Sequence, residues 1–174
     1  MALNCSLSAG YQLPCRSTGG IQEIYIGTYN GNALQYIFGT DSSIIGFTGS
    51  TVSFYGFQQP AQIGSYVEAG QGSIENGTFF YEGTLEMTLQ QMTQALANTI
   101  NTLGIGRWRA ILLDQNGLYW LVGRQNAVYV TTSTPSLGKA FGDLNGTVIT
   151  FQSDEPLTIT NVSQAAALSV IVQP

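Results

Sequence analysis

The chain of 174 residues is long enough for one domain with a sizeable core and short for two. Hydrophobic residues at 44% exclude a wholly disordered chain, while charged residues at 9% fall far below the roughly 25% usual in globular proteins. With no histidine and 5 basic against 10 acidic residues, for a net charge of −5, the sequence excludes Ser-His-Asp hydrolases and histidine-ligated zinc enzymes, and it offers no basic footprint for gripping phosphates. An exterior so poor in charge must be built of Gly, Ser, Thr, Asn and Gln, or be covered by other copies of the chain.

Residues 1–20 read as an N-terminal arm and 21–174 as a single β-rich domain. The start carries neither the charged region nor the apolar run of a secretory signal, and nowhere does the chain approach the ~18 apolar residues of a membrane-spanning helix, so no membrane anchor is expected. Cys5 and Cys15 are the only cysteines. They are compatible with a small closed loop or with two reduced thiols, and their spacing is not that of a CxxC metal or redox motif.

From residue 21 short apolar stretches alternate with turn residues. Residues 21–26 form a strand candidate closed by Asn30-Gly31, a dipeptide suited to a tight hairpin turn, and residues 34–38, 43–47 and 51–57 continue the pattern. Residues 63–89 alternate over a longer span and predict a long hairpin turning at a Gly-rich or Glu75-Asn76-Gly77 segment. This hairpin reads either as a solvated face or as an assembly arm that adds a strand to a neighbour, with Tyr66, Glu68, Gln71, Glu75, Phe79 and Tyr81 as its contact residues.

One helix is predicted over about 88–103. Thr88 and Gln91 have the form of a capping box, Leu89, Met92, Leu96, Ile100 and Leu103 share one face, and Gly104 ends it. Its polar face carries amides and no charges, as expected of a helix that contacts another subunit. The chain then returns to strands: 107–113 and 118–123 form a hairpin through Asp114-Gln115-Asn116-Gly117, followed by 128–132, 147–151, 157–161 and 168–172. About ten short strands and one helix predict a mainly β fold, a β-sandwich or barrel with one packed α-helix and a long hairpin arm. The core is expected where the helix face meets Ile111, Leu113, Tyr119 and Leu121.

Catalytic constellations are hard to find. Asp154-Glu155 reads as a surface turn beside Pro156, and Asp114 and Asp143 as turn residues next to Asn-Gly sequences. Arg107 and Arg109 alternate around Trp108 and so share a strand face, where a salt bridge is the readier role than an anion site. No phosphate-cradling glycine motif occurs. No catalytic residue, cofactor or metal site is expected.

The opening Cys5-Ser6-Leu7-Ser8-Ala9-Gly10-Tyr11-Gln12-Leu13-Pro14-Cys15-Arg16 with Gly19-Gly20-Ile21 resembles the start of structural proteins of tailed bacteriophages that infect Bacteroidetes. So do Leu113-Asp114-Gln115-Asn116-Gly117-Leu118-Tyr119-Trp120-Leu121-Val122-Gly123 and Gly142-Asp143-Leu144-Asn145-Gly146-Thr147-Val148-Ile149-Thr150-Phe151 with Glu155-Pro156. The long hairpin, single helix and surrounding strands are in turn similar to the tail tube protein fold. That resemblance implies a virion location after synthesis in the host cytoplasm, and hexameric rings stacked into a tube that conducts DNA. The implied partners are other copies, other virion proteins and DNA that passes without specific binding. In such a tube Glu68, Glu75, Glu82, Asp114, Asp143, Asp154 and Glu155 are the acids available to face the lumen. A neck, ring or baseplate component of the same virion would share these features. A carbohydrate- or surface-binding sandwich is the alternative of another class, with Tyr25, Tyr29, Tyr36, Tyr55, Tyr119, Trp108 and Trp120 as candidate stacking rings.

Overall fold

The computed structural model describes residues 10–11, 17–49, 52–60 and 62–172. Cys5, Cys15, Arg16 and most of the N-terminal arm lie outside the described residues. The fold is mainly β, with a curled half-barrel sheet and a second sheet packed on it. The larger sheet has eight strands in the order β12-β4-β1-β7-β8-β11-β3-β2, and the smaller has four in the order β5-β6-β10-β9.

In chain order, β1 spans Ile21–Thr28, β2 Leu34–Phe38, β3 Ile44–Gly49 and β4 Phe54–Gln58. All four strands expected in this half are present. Asn30-Gly31 does not close a hairpin, however. Asn30 starts a short 3-10 turn, and β1 pairs with β4 and β7 instead of with β2. The physical reason is burial: Ile24, Tyr25 and Ile26 are consecutive and all buried, so β1 needs neighbours on both edges and cover on both faces.

The long hairpin is β5, Ser65–Ser73, and β6, Thr78–Gln90, turning through residues 74–77. β6 runs past the expected helix start. Thr88 and Leu89 pair with Val148 and Thr147 of β10, Gly146–Glu155, so the Thr88/Gln91 capping box does not form. The helix α1 is Gln94–Ile105 and is capped by Thr93, whose Oγ1 accepts from Leu96 N. Non-local strand pairing outcompetes the local cap signal. It can do so because Gly146 lies against the Leu89 carbonyl, where a Cβ would collide with backbone.

β7, Trp108–Asp114, and β8, Tyr119–Val122, form the expected hairpin. β9 is Tyr129–Ser136 and β11 Thr160–Val162. Residues 168–172 are not a strand as a whole. Most of them belong to a second helix, α2, Gln164–Val170, capped by Ser163, and only β12, Ile171–Val172, is extended. The expectation of a single helix is corrected accordingly.

Two cores follow from alternation along the central strands. Ile24, Ile26, Ala110, Leu112 and Val122 meet Leu85, Met87, Ile149 and Phe151 of the smaller sheet, and α1 adds Leu103 with partly buried Leu96 and Ile100. On the other side of the large sheet Tyr25, Ile111, Tyr119 and Leu121 pack with Phe54 and with Ala166, Ala167 and Val170 of α2. The expected packing of α1 on Ile111, Leu113, Tyr119 and Leu121 therefore has the wrong strand face. Those side chains serve the core under α2, and α1 packs where Ala110 and Leu112 point.

Candidate functional site

The smaller sheet has one face on the core and one face turned outward. Because Leu85, Met87, Ile149 and Phe151 point inward, their neighbours Thr84, Glu86, Thr150 and Gln152 must point out. The outer face is thus threonine- and glutamine-rich and carries the acids Glu82, Glu86 and Asp154. Glu82 stands directly opposite Asp154 across the β6–β10 ladder, an arrangement of like charges that costs stability. Gln152 Nε2 donates to Glu82 Oε1 at 2.8 Å, and Tyr129 OH donates to Asp154 Oδ2 at 3.4 Å. Burial first, then the charge of Asp154, pushes the Tyr129 phenol above its ordinary value.

None of the four strands of this sheet carries an arginine or a lysine. Arg107 is exposed just before β7, Lys139 is exposed in the loop between β9 and β10, and half-buried Arg124 donates to Thr160 Oγ1. Arg109 is buried beneath the other face of the large sheet. Its Nη1 donates to Asn30 Oδ1 at 2.8 Å, its Nη2 to the Gly31 carbonyl, and its guanidinium lies 4.4 Å from the Tyr29 ring centroid. Its partners are neutral, so the expected salt bridge from this strand face does not involve Arg109.

The arm residues separate by position. Gly70 and Gly72 on β5 face Tyr81 and Phe79 on β6, and the Phe79 ring occupies the space their missing side chains leave. Phe79 and Tyr81 stack edge to face at 5.2 Å. Tyr66 OH donates to Glu68 Oε1 at 3.0 Å, and burial, then the Glu68 charge, pushes the Tyr66 phenol upward. The other oxygen of Glu68 accepts from Thr158 Oγ1 and from Ile159 N. Glu68 therefore braces the 156–159 segment from the inner side and is not on the acidic face. Gln71 and Glu75 are exposed, on β5 and at the turn. The hairpin is less free than its length suggested, because β6 pairs with β10 from Tyr81 to Gln90.

The two edges of this sheet differ. β9 contains Pro135, carries a bulge between its partners Thr150 and Phe151, and lies against α1, all of which blunt an edge. β5 contains neither proline nor lysine. It is the terminal strand of this sheet, and β6 is its partner among the described strands.

The remaining acids are dispersed. Asp114 Oδ1 accepts from Asn116 N and Leu118 N in the β7–β8 turn, and its Oδ2 accepts from Trp120 Nε1. Burial opposes ionisation there, but these hydrogen bonds outweigh it and hold the carboxyl below its ordinary value. Asp143 Oδ2 accepts from Lys139 N and Ala140 N, which lowers its pKa and shapes the loop. Both confirm the turn role read from the sequence. The surface-turn reading of Asp154-Glu155 is corrected: both residues belong to β10, and Glu155 is buried, accepting from Gln125 N and Asn126 N, so it cannot face a bore. Burial raises its pKa against those hydrogen bonds.

Among the candidate stacking rings Tyr55 is exposed on β4, and Tyr29 and Tyr36 lie about the Arg109 guanidinium. Tyr25 and Tyr119 are buried, while Tyr29 and Tyr36 donate to the carbonyls of Gln125 and Arg124. Trp120 lines a cleft of about 270 Å³ with Tyr66, Leu112 and Ile159, its N–H already bonded to Asp114.

No family model, curated protein or solved structure matches the chain. No helix among the described residues is long and apolar enough to cross a membrane.

Proposed function

We propose that this chain is a non-enzymatic structural subunit of a phage virion that assembles into stacked rings, a tail tube through which DNA passes. The observation that carries the reading is the outer face of the four-stranded sheet, which holds Glu82, Glu86 and Asp154 and none of the described arginines or lysine. A cation on a DNA conduit would add a counterion-release contribution favouring attachment, and a moving polyanion needs a wall without such traps. The β5 edge supplies a means of joining neighbours side by side, so that the acidic faces of successive subunits close around a bore. A chain with 9% charged residues is also better suited to an assembly than to life as a monomer.

Negative-stain microscopy of the purified protein tests the reading. Rings or hollow tubes are expected. Dispersed monomers at every concentration would refute it, and monomers that bind glycans would favour the sugar-binding alternative.

A further inference from the structure

Asn-Gly dipeptides occur at Asn30-Gly31, Asn76-Gly77, Asn116-Gly117 and Asn145-Gly146. Each has the connectivity for a self-reaction, because glycine leaves the following backbone nitrogen unshielded by a Cβ and that nitrogen lies one ring closure from the asparagine side-chain carbonyl. The ring closes only where the side-chain amide is free to swing onto the nitrogen and the nitrogen is open to water. The fold treats these pairs differently.

Three of them are held. Asn30 Oδ1 accepts from Arg109 Nη1 at 2.8 Å, and Arg109 is buried, so this side chain is tied to the interior. Asn116 is exposed but bound at both ends of its amide, with Oδ1 accepting from Thr18 N at 3.0 Å and Nδ2 donating to the Thr18 carbonyl at 2.8 Å. At Asn145 the obstacle is the nitrogen. Gly146 is buried, paired with Gln90 of β6 and Ser136 of β9, and the Leu89 carbonyl lies where a Cβ would stand.

Asn76 and Gly77 are both exposed in the β5–β6 turn. Asn76 N donates to Ser73 Oγ and Gly77 N to the Ile74 carbonyl, each at 3.3 Å, which is long for such bonds. The Asn76 side-chain amide has no hydrogen-bond partner among the described residues, and a Cβ built on Gly77 would meet nothing within 4 Å.

We infer that Asn76 is a site of spontaneous deamidation, where the chain converts its own amide to a carboxylate. The Gly77 nitrogen gives up its proton to hydroxide and attacks Asn76 Cγ. The new N–C bond closes a succinimide, and the side-chain nitrogen leaves as ammonia, taking a proton from water and regenerating hydroxide. Water then opens the ring at either carbonyl, giving aspartate or, with the main chain rerouted through Cβ, isoaspartate. Nothing is oxidised or reduced, and the net change is one water taken up and one ammonia released. The product places a second carboxylate beside Glu75 on a chain already at −5, and the isoaspartate form lengthens the main chain within the turn that joins Ser73 to its partner Thr78. The site is independent of the tube reading, which neither requires nor excludes it.

The test incubates the full chain, folded in mildly alkaline buffer and unfolded in urea at the same pH, and follows each asparagine by peptide mass spectrometry with fragmentation. In the folded chain Asn76 should convert at least about tenfold faster than Asn30, Asn116 or Asn145, and in urea the rates should draw together. Asn76→Gln, whose longer side chain does not close the succinimide, should abolish the fast phase and, as an exposed change, leave the melting temperature unaltered. Conversion of any of the other three at the rate of Asn76 in the folded chain would overturn the assignment. So would an Asn76 that keeps its amide in the folded chain, since the turn would then protect it, and so would a fast phase that survives Asn76→Gln.

Discussion

Among the described residues Arg109 is the largest fully buried side chain, and its hydrogen-bond partners are neutral oxygens. Its fork reaches Asn30 and Gly31, so it fastens the turn after β1 to strand β7, while its Nε has no hydrogen-bond partner among the described residues. Removing the guanidinium would leave a cavity together with the unpaired Asn30 Oδ1 and Gly31 carbonyl. Arg109→Ala is expected to cost about 2–5 kcal/mol, from the cavity and from neutral acceptors left unpaired; a change under about 1 kcal/mol in a denaturant titration would show that the site relaxes without it. Glu155 makes a different prediction, one of pH. Its carboxyl is raised in the fold, so the unfolded chain ionises first as pH rises. The stability this group contributes is therefore complete below the ordinary glutamate value of about 4.3 and is lost as pH rises through the higher folded value. Measured against Glu155→Gln, the parent should gain relative stability between pH ~7 and ~4. A relative loss over that interval would contradict the burial of this carboxyl.

At the scale of elements, α1 is tied to the core unequally. Leu103 is buried and Trp108 Nε1 donates to its carbonyl, whereas Leu96 is only partly buried. Leu103→Ala should cost about 2–5 kcal/mol and Leu96→Ala clearly less; equal costs would mean that the helix packs more deeply than described. Thr93→Ala should remove about 1 kcal/mol through the lost cap, and Thr88→Ala should leave α1 unaffected, separating the observed cap from the one the sequence suggested. Deleting residues 71–77 should leave a folded chain, because Tyr81 to Gln90 of β6 remain paired with β10, and should abolish polymerisation. Normal tube growth by that deletion would remove the hairpin from assembly.

These elements also show what the sequence made legible. Strands bounded by turn chemistry, such as the Asp114–Gly117 hairpin, could be read directly, because local hydrogen bonding decides them. The start of α1 could not, since ten cross-strand pairs between β6 and β10 overrode a local cap pattern. The helix α2 was hidden for another reason. Its seven residues are too few to show a period, and the β-branched Val170, Ile171 and Val172 at its end read as a strand. The acidic face was half legible: Glu82 and Asp154 were among the candidate acids and Glu86 was not, and a strand expected to end at Phe151 hid that Glu155 continues the inward row of Ile149 and Phe151.

At the scale of the whole molecule, the proposed tube assigns DNA passage to the acidic face and contact between copies to the β5 edge. If the acidic face lines a bore, purified tubes should retain little duplex DNA at low salt, and what they retain should depend only weakly on added salt, because few phosphate contacts exist to release counterions. Tight retention that falls steeply with salt would place Arg107, Arg124 or Lys139 at the bore. The most direct measurement is a cryo-microscopy reconstruction of the assembled protein in which the residues of the inner wall are read off. The account predicts a hollow tube whose wall presents Glu82, Glu86 and Asp154 from each subunit, with neighbours joined along β5. A bore lined by Arg107 and the outer face of the large sheet, or a chain that remains monomeric under every assembly condition, would contradict it.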